Sequence, residues 1–351
     1  MKVVTVVGAR PQFIKEAAVA RKLRRAYDEI LVHTGQHYDE NMSDVFFDEL
    51  DIPRPDYNLG ISGSSHAKMT GSIMAAVEEV LLRERPDRLL VYGDTNSTLA
   101  GALAAVKLHI PVCHVEAGLR LGTLSNPEEI NRICTDHVSS LLMYCTESAA
   151  PHLKAESLFD RSVLVGDPMY DAFIYFSQYA GRRQLNEIQA PEKFYYLTFH
   201  REENCSIESV TAVLDAANSL DAPTVYPVHP RNRSLVEEIC EQHGFQNVLR
   251  VPPVGYLTSL ALTLNCEKVL TDSGGLQREA FFAEKQCVLL FNYICWPETM
   301  VDNRNQLANC EKEDILTKLS APMKVDRSYQ PFGDGDAASK IIAAMQHVTL
   351  K

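Results

Sequence analysis

The chain has 351 residues, yet it contains no CxxC pair and no GxGxxG turn. It also has no apolar run near the roughly eighteen residues that a membrane-spanning helix needs. Each absence excludes something. The nine cysteines, with neighbours such as Cys134 and Cys145 at no zinc-ligand spacing, do not outline a metal site. They read as mostly buried free thiols in a reducing cytoplasm. Without GxGxxG the dinucleotide fingerprint is missing. Without a long apolar run no transmembrane helix is expected. The opening "MKVVTVVGARPQ" has a short apolar stretch that ends in Gly-Ala-Arg-Pro and lacks a small-residue cleavage site. It reads as a first strand and not as a signal peptide. Positive charge is also scarce: 34 Lys and Arg stand against 46 Asp and Glu, a net charge of −12. That argues against general nucleic-acid binding, which needs a basic face. A small anionic substrate in a locally basic pocket stays open. No low-complexity segment and no short-period repeat occurs.

What is present is ordinary for a globular protein: 46% hydrophobic and 23% charged residues. The length suits one large or two medium domains. Short β-type runs alternate with longer helical stretches. Strand candidates are "KVVTVVG", "EILVH", "RLLVYG", "IPVCHVE", "LLMYC" and "SVLVG", with helical segments such as "QFIKEAAVARKLRRA" and "HAKMTGSIMAAVEEVLLRE" between them. Near-continuous apolar strands are what a parallel sheet covered on both faces requires. The pattern therefore predicts a doubly wound α/β domain. The rhythm restarts after "FSQYAGRRQLNEIQAPEK" with "KFYYLTF", "PTVYPVH", "NVLRV", "EKVLTD" and "QCVLLF". That predicts a second α/β domain of similar size, with a cleft between the two. The late stretch "GDAASKIIAAMQHV" reads as an amphipathic helix. In open α/β sheets ligands bind beyond the carboxyl ends of strands, so the residues that follow each strand are the candidates.

After the first strand, "GARPQFIK" gives Gly8 for a tight turn and Pro11 for a first helical turn. Arg10, with Lys15 nearby, stands at a helix N-terminus, where anions are favoured. A phosphate contact and a solvated surface arginine are equal readings there. In "HTGQHYDEN", His33 and His37 invite a metal reading that polar loop residues explain about as well. "YGDTNSTLAG" turns at Gly93 and Asp94 into a helix capped by Thr95 or Asn96. Asp94 is either a cap or a carboxylate aimed into the cleft.

"HVEAGLRLGTLSNPEEINR" crowds Glu116, Glu128, Glu129, Arg120 and Arg132 after a buried-type strand. Gly118 lets the backbone pass close to something. Asn126 and Pro127 start a helix, and the helix dipole accounts for Glu128 and Glu129. It does not account for Glu116. In the second half "TFHREEN" groups His200, Arg201 and Glu203. "YPVHPRNR" groups His229, Arg231 and Arg233. "TDSGGLQREA" opens a helix at Ser273, Gly274 and Gly275, a turn whose free N–H groups can cradle a phosphate or simply cap a helix. Carboxylates in the first half, with cations and a phosphate-type turn in the second, suit an anionic leaving group and proton chemistry.

These motifs, in this order, resemble the non-hydrolysing UDP-N-acetylglucosamine 2-epimerase family over nearly the whole chain. "GARPQFIK", "HTGQHYDENMSDVFF" and "PDYNLGI" look closest to the branch that acts on UDP-2,3-diacetamido-2,3-dideoxy-glucuronic acid, a lipopolysaccharide and capsule precursor. Enzymes for plain UDP-GlcNAc more often begin "GTRPE". The resemblance implies an α/β fold of the glycosyltransferase B type, two Rossmann-like doubly wound domains facing a cleft. Residues 1–170 would carry the acid/base carboxylates and 171–334 would bind UDP. A C-terminal helix, 335–351, would return to the first domain. It also implies a cytoplasmic homodimer and a UDP-sugar substrate, with no metal and no nicotinamide cofactor.

By motif position Asp94, Glu116 and Glu128 look like the acid/base carboxylates. His200 looks like a pyrophosphate-side or proton-handling residue. Arg10, Ser273, Gly274 and Gly275 look like phosphate contacts, and Glu279 like the ribose-hydroxyl acceptor. Lys15, Arg201, Glu203, His229, Arg231 and Glu298 complete the expected substrate contacts. Arg120, Arg132 and Lys15 are candidate cations for a uronate. Two departures stand out. A segment that in the family resembles RDxTE(R/W)PE reads "FNYICWPE" here, with Phe291 and Cys295 in place of Arg and Glu. "YDENMSD" departs from the usual continuation of a regulatory UDP-GlcNAc site near Gln36 and His37, so that regulation is not predicted. A hydrolysing relative, a glycosyltransferase of the same fold and an inactive UDP-sugar-binding protein are the competing readings.

Overall fold

Two parallel sheets organise the residues that the computed structural model describes, which are 1–36, 47, 49–201, 204, 206–346 and 348. The first sheet contains β1 (Lys2–Val7), β2 (Asp28–His33), β3 (Tyr57–Asn58), β4 (Arg88–Tyr92), β5 (Val112–Val115), β6 (Leu141–Tyr144) and β7 (Ser162–Leu164). They are hydrogen-bonded in the order β3-β2-β1-β4-β5-β6-β7. The second contains β8 (Tyr195–Thr198), β9 (Thr224–Pro227), β10 (Val248–Val251), β11 (Val269–Thr271), β12 (Cys287–Leu289) and β13 (Asn305–Leu307). Their order is β10-β9-β8-β11-β12-β13. Both sheets thus run third, second, first, fourth, fifth, sixth, the doubly wound order of a Rossmann-like fold.

Every apolar run named above becomes a strand. Val3, Val4, Val6 and Val7 of β1 are fully buried, as are Leu89–Tyr92 of β4. Each such side chain contributes roughly 1.5–3 kcal/mol on burial. Two strands were not expected. β3 is only two residues long, and β13 begins with the polar pair Asn305 and Gln306. Asn305 is buried because its Nδ2 donates to the Gln277 carbonyl at 2.9 Å.

The chain divides into two compact units. Unit 1 is Met1–Ile174 with Gln330–Lys351, and unit 2 is Tyr175–Tyr329. In unit 1 the helices that matter are α1 (Arg10–Ala26), α2 (His66–Glu84), α3 (Asn96–Lys107) and α4 (Pro127–Val138). In unit 2 the helix that opens at the "SGG" turn is α5 (Gly274–Phe282). Unit 1 is completed by α6 (Ala337–Met345), whose Ile341 and Met345 are fully buried. The Asp171 carboxylate accepts the Ala337 and Ala338 N–H groups at 3.0 and 2.9 Å and so caps α6. Lys22 of α1 bonds Asp336 and Ser339, and Arg88 donates to the Gln346 and Val348 carbonyls.

In each sheet the strand order reverses beside the first strand, between β1 and β4 and between β8 and β11. Helices leave these neighbouring strands toward opposite faces, which leaves a crevice at their carboxyl ends. Arg10 and Lys15 follow β1 and Asp94 follows β4, while His200 and Arg201 follow β8 and Ser273, Gly274 and Gly275 follow β11.

Candidate active site

In unit 1 the crevice is built by side chains that cross between turns. Gln12, in the first turn of α1, accepts the Gly8 and Ala9 N–H groups at 2.8 and 3.0 Å. Its Nε2 donates to the Tyr92 carbonyl and to Thr98 Oγ1. It therefore fastens the turn after β1 to the turn after β4. Gly8 is needed there for space and not for a left-handed turn. A Cβ on it would lie 2.2 Å from both Ser97 Oγ and Thr34 Oγ1. Thr95, and not Asn96, caps α3, its Oγ1 accepting the Thr98 N–H.

Lys15 lies inside, 2% exposed, with Nζ 2.7 Å from Glu116 Oε2. It serves as the countercharge of a buried carboxylate. Glu116 follows β5 at φ +72°, a left-handed conformation that non-glycine residues seldom adopt. Such strain, roughly 1–3 kcal/mol, concentrates at functional sites. Asp94 is half-buried and pairs with Arg132, which also holds Glu129 at 2.5 Å. Asn131 of α4 donates to the Asp94 carbonyl at 3.0 Å. The adjacent carboxylates of α4 separate. Glu129 is buried and accepts the Leu121 and Gly122 N–H groups, whereas Glu128 is exposed. Arg10 begins α1, half-buried.

His114 of β5 is fully buried, its Nδ1 2.7 Å from Asp136 Oδ1 and its Nε2 2.6 Å from the Gly93 carbonyl. Asp136 Oδ2 accepts the Gly118 N–H at 3.0 Å and Arg120 Nη1 at 2.7 Å. Burial alone would raise the Asp136 carboxyl, but His114 and then Arg120 outweigh it and hold the group below the usual range. Arg120 also grips Glu156 with two bonds of 2.7 Å. Arg120, Arg132 and Lys15, the three cations considered for a uronate, each hold carboxylates of this chain. Glu116, Cys145 and Asp167 offer ligand atoms within 4.8 Å of one another. Lys15 already supplies a positive charge to Glu116 there.

In unit 2, His200 and Arg201 follow β8, and Asp272 follows β11. Asp272 Oδ2 accepts the N–H groups of both His200 and Arg201 at 2.8 and 2.7 Å. Its Oδ1 lies 3.1 Å from His200 Nδ1. Burial pushes the Asp272 carboxyl up, but the His200 side chain and those N–H groups hold it below its usual value. His200 stacks on His229 at 5.7 Å, and His229 Nδ1 accepts the Arg231 N–H.

Ser273 caps α5, its Oγ accepting the Leu276 N–H at 3.3 Å. A Cβ on Gly274 would meet nothing within 4 Å. One on Gly275 would meet only the Ser273 hydroxyl, at 3.7 Å. That helix start is open. Glu279 lies farther along α5, buried. Glu298 is buried too, and neither carboxylate oxygen has a hydrogen-bond partner among the described residues. Glu203 and His37 lie outside the described residues.

Comparison with known proteins completes this picture. The family profile described as UDP-N-acetylglucosamine 2-epimerase matches residues 21–346. The chain belongs to that family. It is 44% identical to the UDP-N-acetylglucosamine 2-epimerase homolog of Methanococcus maripaludis, covering 99% of this chain and 100% of that one. It is 43% identical to the UDP-2,3-diacetamido-2,3-dideoxy-D-glucuronate 2-epimerase of Pseudomonas aeruginosa, over 97% and 98% of the two chains. The Methanocaldococcus jannaschii UDP-GlcNAc 2-epimerase, solved in complex with UDP-GlcNAc and UDP, matches with a TM-score of 0.91 at 35% identity. That match covers 99% of this chain and 100% of that one. The fold is therefore the glycosyltransferase B type, and the family is one of isomerases.

The segment 291–298 packs around Arg201 and Arg278. Phe291 and Tyr293 stack at 4.9 Å, and the Arg201 guanidinium lies over both rings. Arg201 also bonds the Tyr293 hydroxyl and the Asp272 carbonyl. Trp296 is buried beneath the Arg278 guanidinium, 4.2 Å from the ring centre. Three residues that the sequence motifs did not single out, Gln12, Asp136 and Asp272, hold the named ones in place. A histidine on an all-apolar strand was the available signal for Asp136, because buried imidazole needs polar partners.

Proposed function

We propose that this chain inverts C2 of a UDP-2-acetamido sugar by eliminating UDP and adding it back. The observation that carries this is the pair of charge-compensated carboxylates, Asp94 and Glu116, at the ends of neighbouring strands β4 and β5. A C2 proton is too weakly acidic to exchange directly. When it leaves together with the C1 oxygen, its bonding electrons become the C1–C2 double bond of a 2-acetamidoglucal. The C1–O electrons depart on UDP. Return of UDP to C1, with a proton delivered to the opposite face of C2, gives the epimer.

In this reading Asp94, Glu116 and Glu128 share the proton transfers. Lys15 serves as the countercharge of Glu116. Arg10, Ser273, Gly274 and Gly275 receive the pyrophosphate, with Arg201, Glu203, His229, Arg231 and Glu298 as further substrate contacts. His200, steadied by Asp272, faces the departing phosphate, and Glu279 accepts a ribose hydroxyl. Unit 2 thus supplies most of the UDP contacts, and unit 1 supplies Arg10 and the carboxylates that handle the proton. The preferred sugar is the 2,3-diacetamido-glucuronate, as the first-half motifs and the Pseudomonas relative suggest. The enzyme would be a cytoplasmic homodimer that supplies lipopolysaccharide or capsule precursors. Its eight described cysteines are free thiols, in keeping with a reducing compartment. No helix among the described residues is long and apolar enough to cross a membrane.

Proton NMR in D₂O tests this with UDP-GlcNAc and UDP-2,3-diacetamido-glucuronic acid in separate tubes. The expected result is a manno-type anomeric signal with deuterium at C2, faster with the uronate. Free UDP with a reducing sugar would instead mean a hydrolysing enzyme. No change in either tube would overturn the reading.

A further inference from the structure

Resting on that reading, we propose that the buried His114–Asp136 pair is a positioning device for C2 proton transfer, fixing the three chain segments that carry Asp94, Glu116 and Glu128. The pair connects three segments of the chain. The Gly93 carbonyl can only accept, so His114 donates to it through Nε2–H and fixes the residue just before Asp94. His114 Nδ1 faces Asp136 on α4, the helix whose first turn carries Glu128. The other Asp136 oxygen holds the Gly118 N–H, two residues beyond Glu116, while His114 lies two residues before it. Glu116 is therefore held on both sides in its left-handed conformation by one carboxylate and one imidazole.

An ordinary satisfied core histidine would show the same burial. It would have no reason to attach beside Asp94 and within two residues of Glu116 and, as a third point, to the helix whose first turn carries Glu128. Gly118 adds rigidity: at φ +80° it leaves 2.8 Å between a would-be Cβ and Leu153 Cγ, so this turn packs tightly. The pair touches no substrate atom in this scheme. Its effect is geometric, and misplacing a reacting group by ~1 Å typically costs about 100-fold in rate.

The test compares wild type with Asp136→Asn and His114→Gln. An amide at position 136 cannot accept from His114 on one side and from Gly118 and Arg120 on the other. Three quantities are read with a UDP-sugar that wild type turns over: kcat per UDP-binding site, KM, and the ratio of released 2-acetamidoglucal to epimer. We expect kcat per site to fall ~10- to 100-fold with KM within about threefold. The glycal ratio should rise, because a misaligned acid returns the proton slowly and the intermediate escapes. A loss of folded enzyme alone would move neither quantity. A wild-type glycal ratio, or kcat per site within about threefold of wild type, overturns the proposal.

If neither variant binds UDP, wild-type protein carrying ¹⁵N-histidine decides. One ring should show two N–H protons protected from solvent exchange, and the absence of such a ring overturns the pair. Should wild type turn over no UDP-2-acetamido sugar, the epimerase reading fails, while the NMR result still judges the pair.

Discussion

Asp94 and Glu116 are carboxylates whose loss should be felt in chemistry before it is felt in binding. Asp94→Asn and Glu116→Gln keep shape and remove the transferable proton. Each should lower kcat by ~10²–10⁴ while calorimetry still finds UDP bound. Near-normal turnover in either would remove it from the proton relay. Lys15 makes a different prediction. Lys15→Met leaves the Glu116 carboxylate buried without its cation, which should cost about 3–5 kcal/mol in urea unfolding. A loss below about 1 kcal/mol would mean the pair is not what keeps Glu116 inside. At this scale the sequence was partly legible. Motif spacing pointed to Asp94 and Glu116, but not to which of the adjacent residues Glu128 and Glu129 is buried. That depends on a rotation of one residue about α4, set by where Arg132 and the 121–122 turn lie. Asp136 and Asp272 were hidden because a lone aspartate in a helix or at a strand end looks like any cap.

The element that carries the most unusual interior charge is α1. Beneath it Glu16 is fully buried and accepts the Tyr92 hydroxyl at 2.8 Å. Glu29 stands nearby, accepting from Thr5 Oγ1 and from Arg24. Burial first, and then the charge of Glu29, push the Glu16 carboxyl well above its ordinary 4.5. The folded state therefore favours neutral Glu16. That contribution is complete below 4.5 and is lost as pH rises through the raised value. Glu16→Gln should leave Tm near wild type at acidic pH. At pH ~8 it should raise Tm by at least about 2 °C, the shift that ~1 kcal/mol gives in a domain of this size. An equal difference at both pH values would contradict this.

Element existence was largely readable, because a strand covered on both faces must be apolar throughout. β3 and β13 escaped for opposite reasons. β3 is too short to show a pattern, and β13 opens on a polar residue, Asn305, that is buried with its Nδ2 donating to the Gln277 carbonyl. The order of strands within each sheet was not readable either, since it depends on how crossover helices pack.

At the scale of the whole molecule, unit 2 is one continuous stretch with its own sheet and its own apolar core, including Leu197, Tyr226, Leu270 and Val288. Expressed alone, Tyr175–Tyr329 should melt cooperatively and bind UDP within about tenfold of the full chain. A fragment that folds but does not bind would make the unit 1 contact of Arg10 decisive for the nucleotide. Unit 1, by contrast, is made of two stretches, and α6 reaches it only after all of unit 2 has been passed. The consequence concerns birth on the ribosome. Synthesis runs from the N-terminus and domains tend to fold as units once their residues have emerged. Unit 2, proposed to hold most of the nucleotide, can close while unit 1 still lacks α6. Unit 1, with Asp94 and Glu116, is then the last to be sealed, so on the proposed reading the nascent chain would meet UDP before it could act on the sugar.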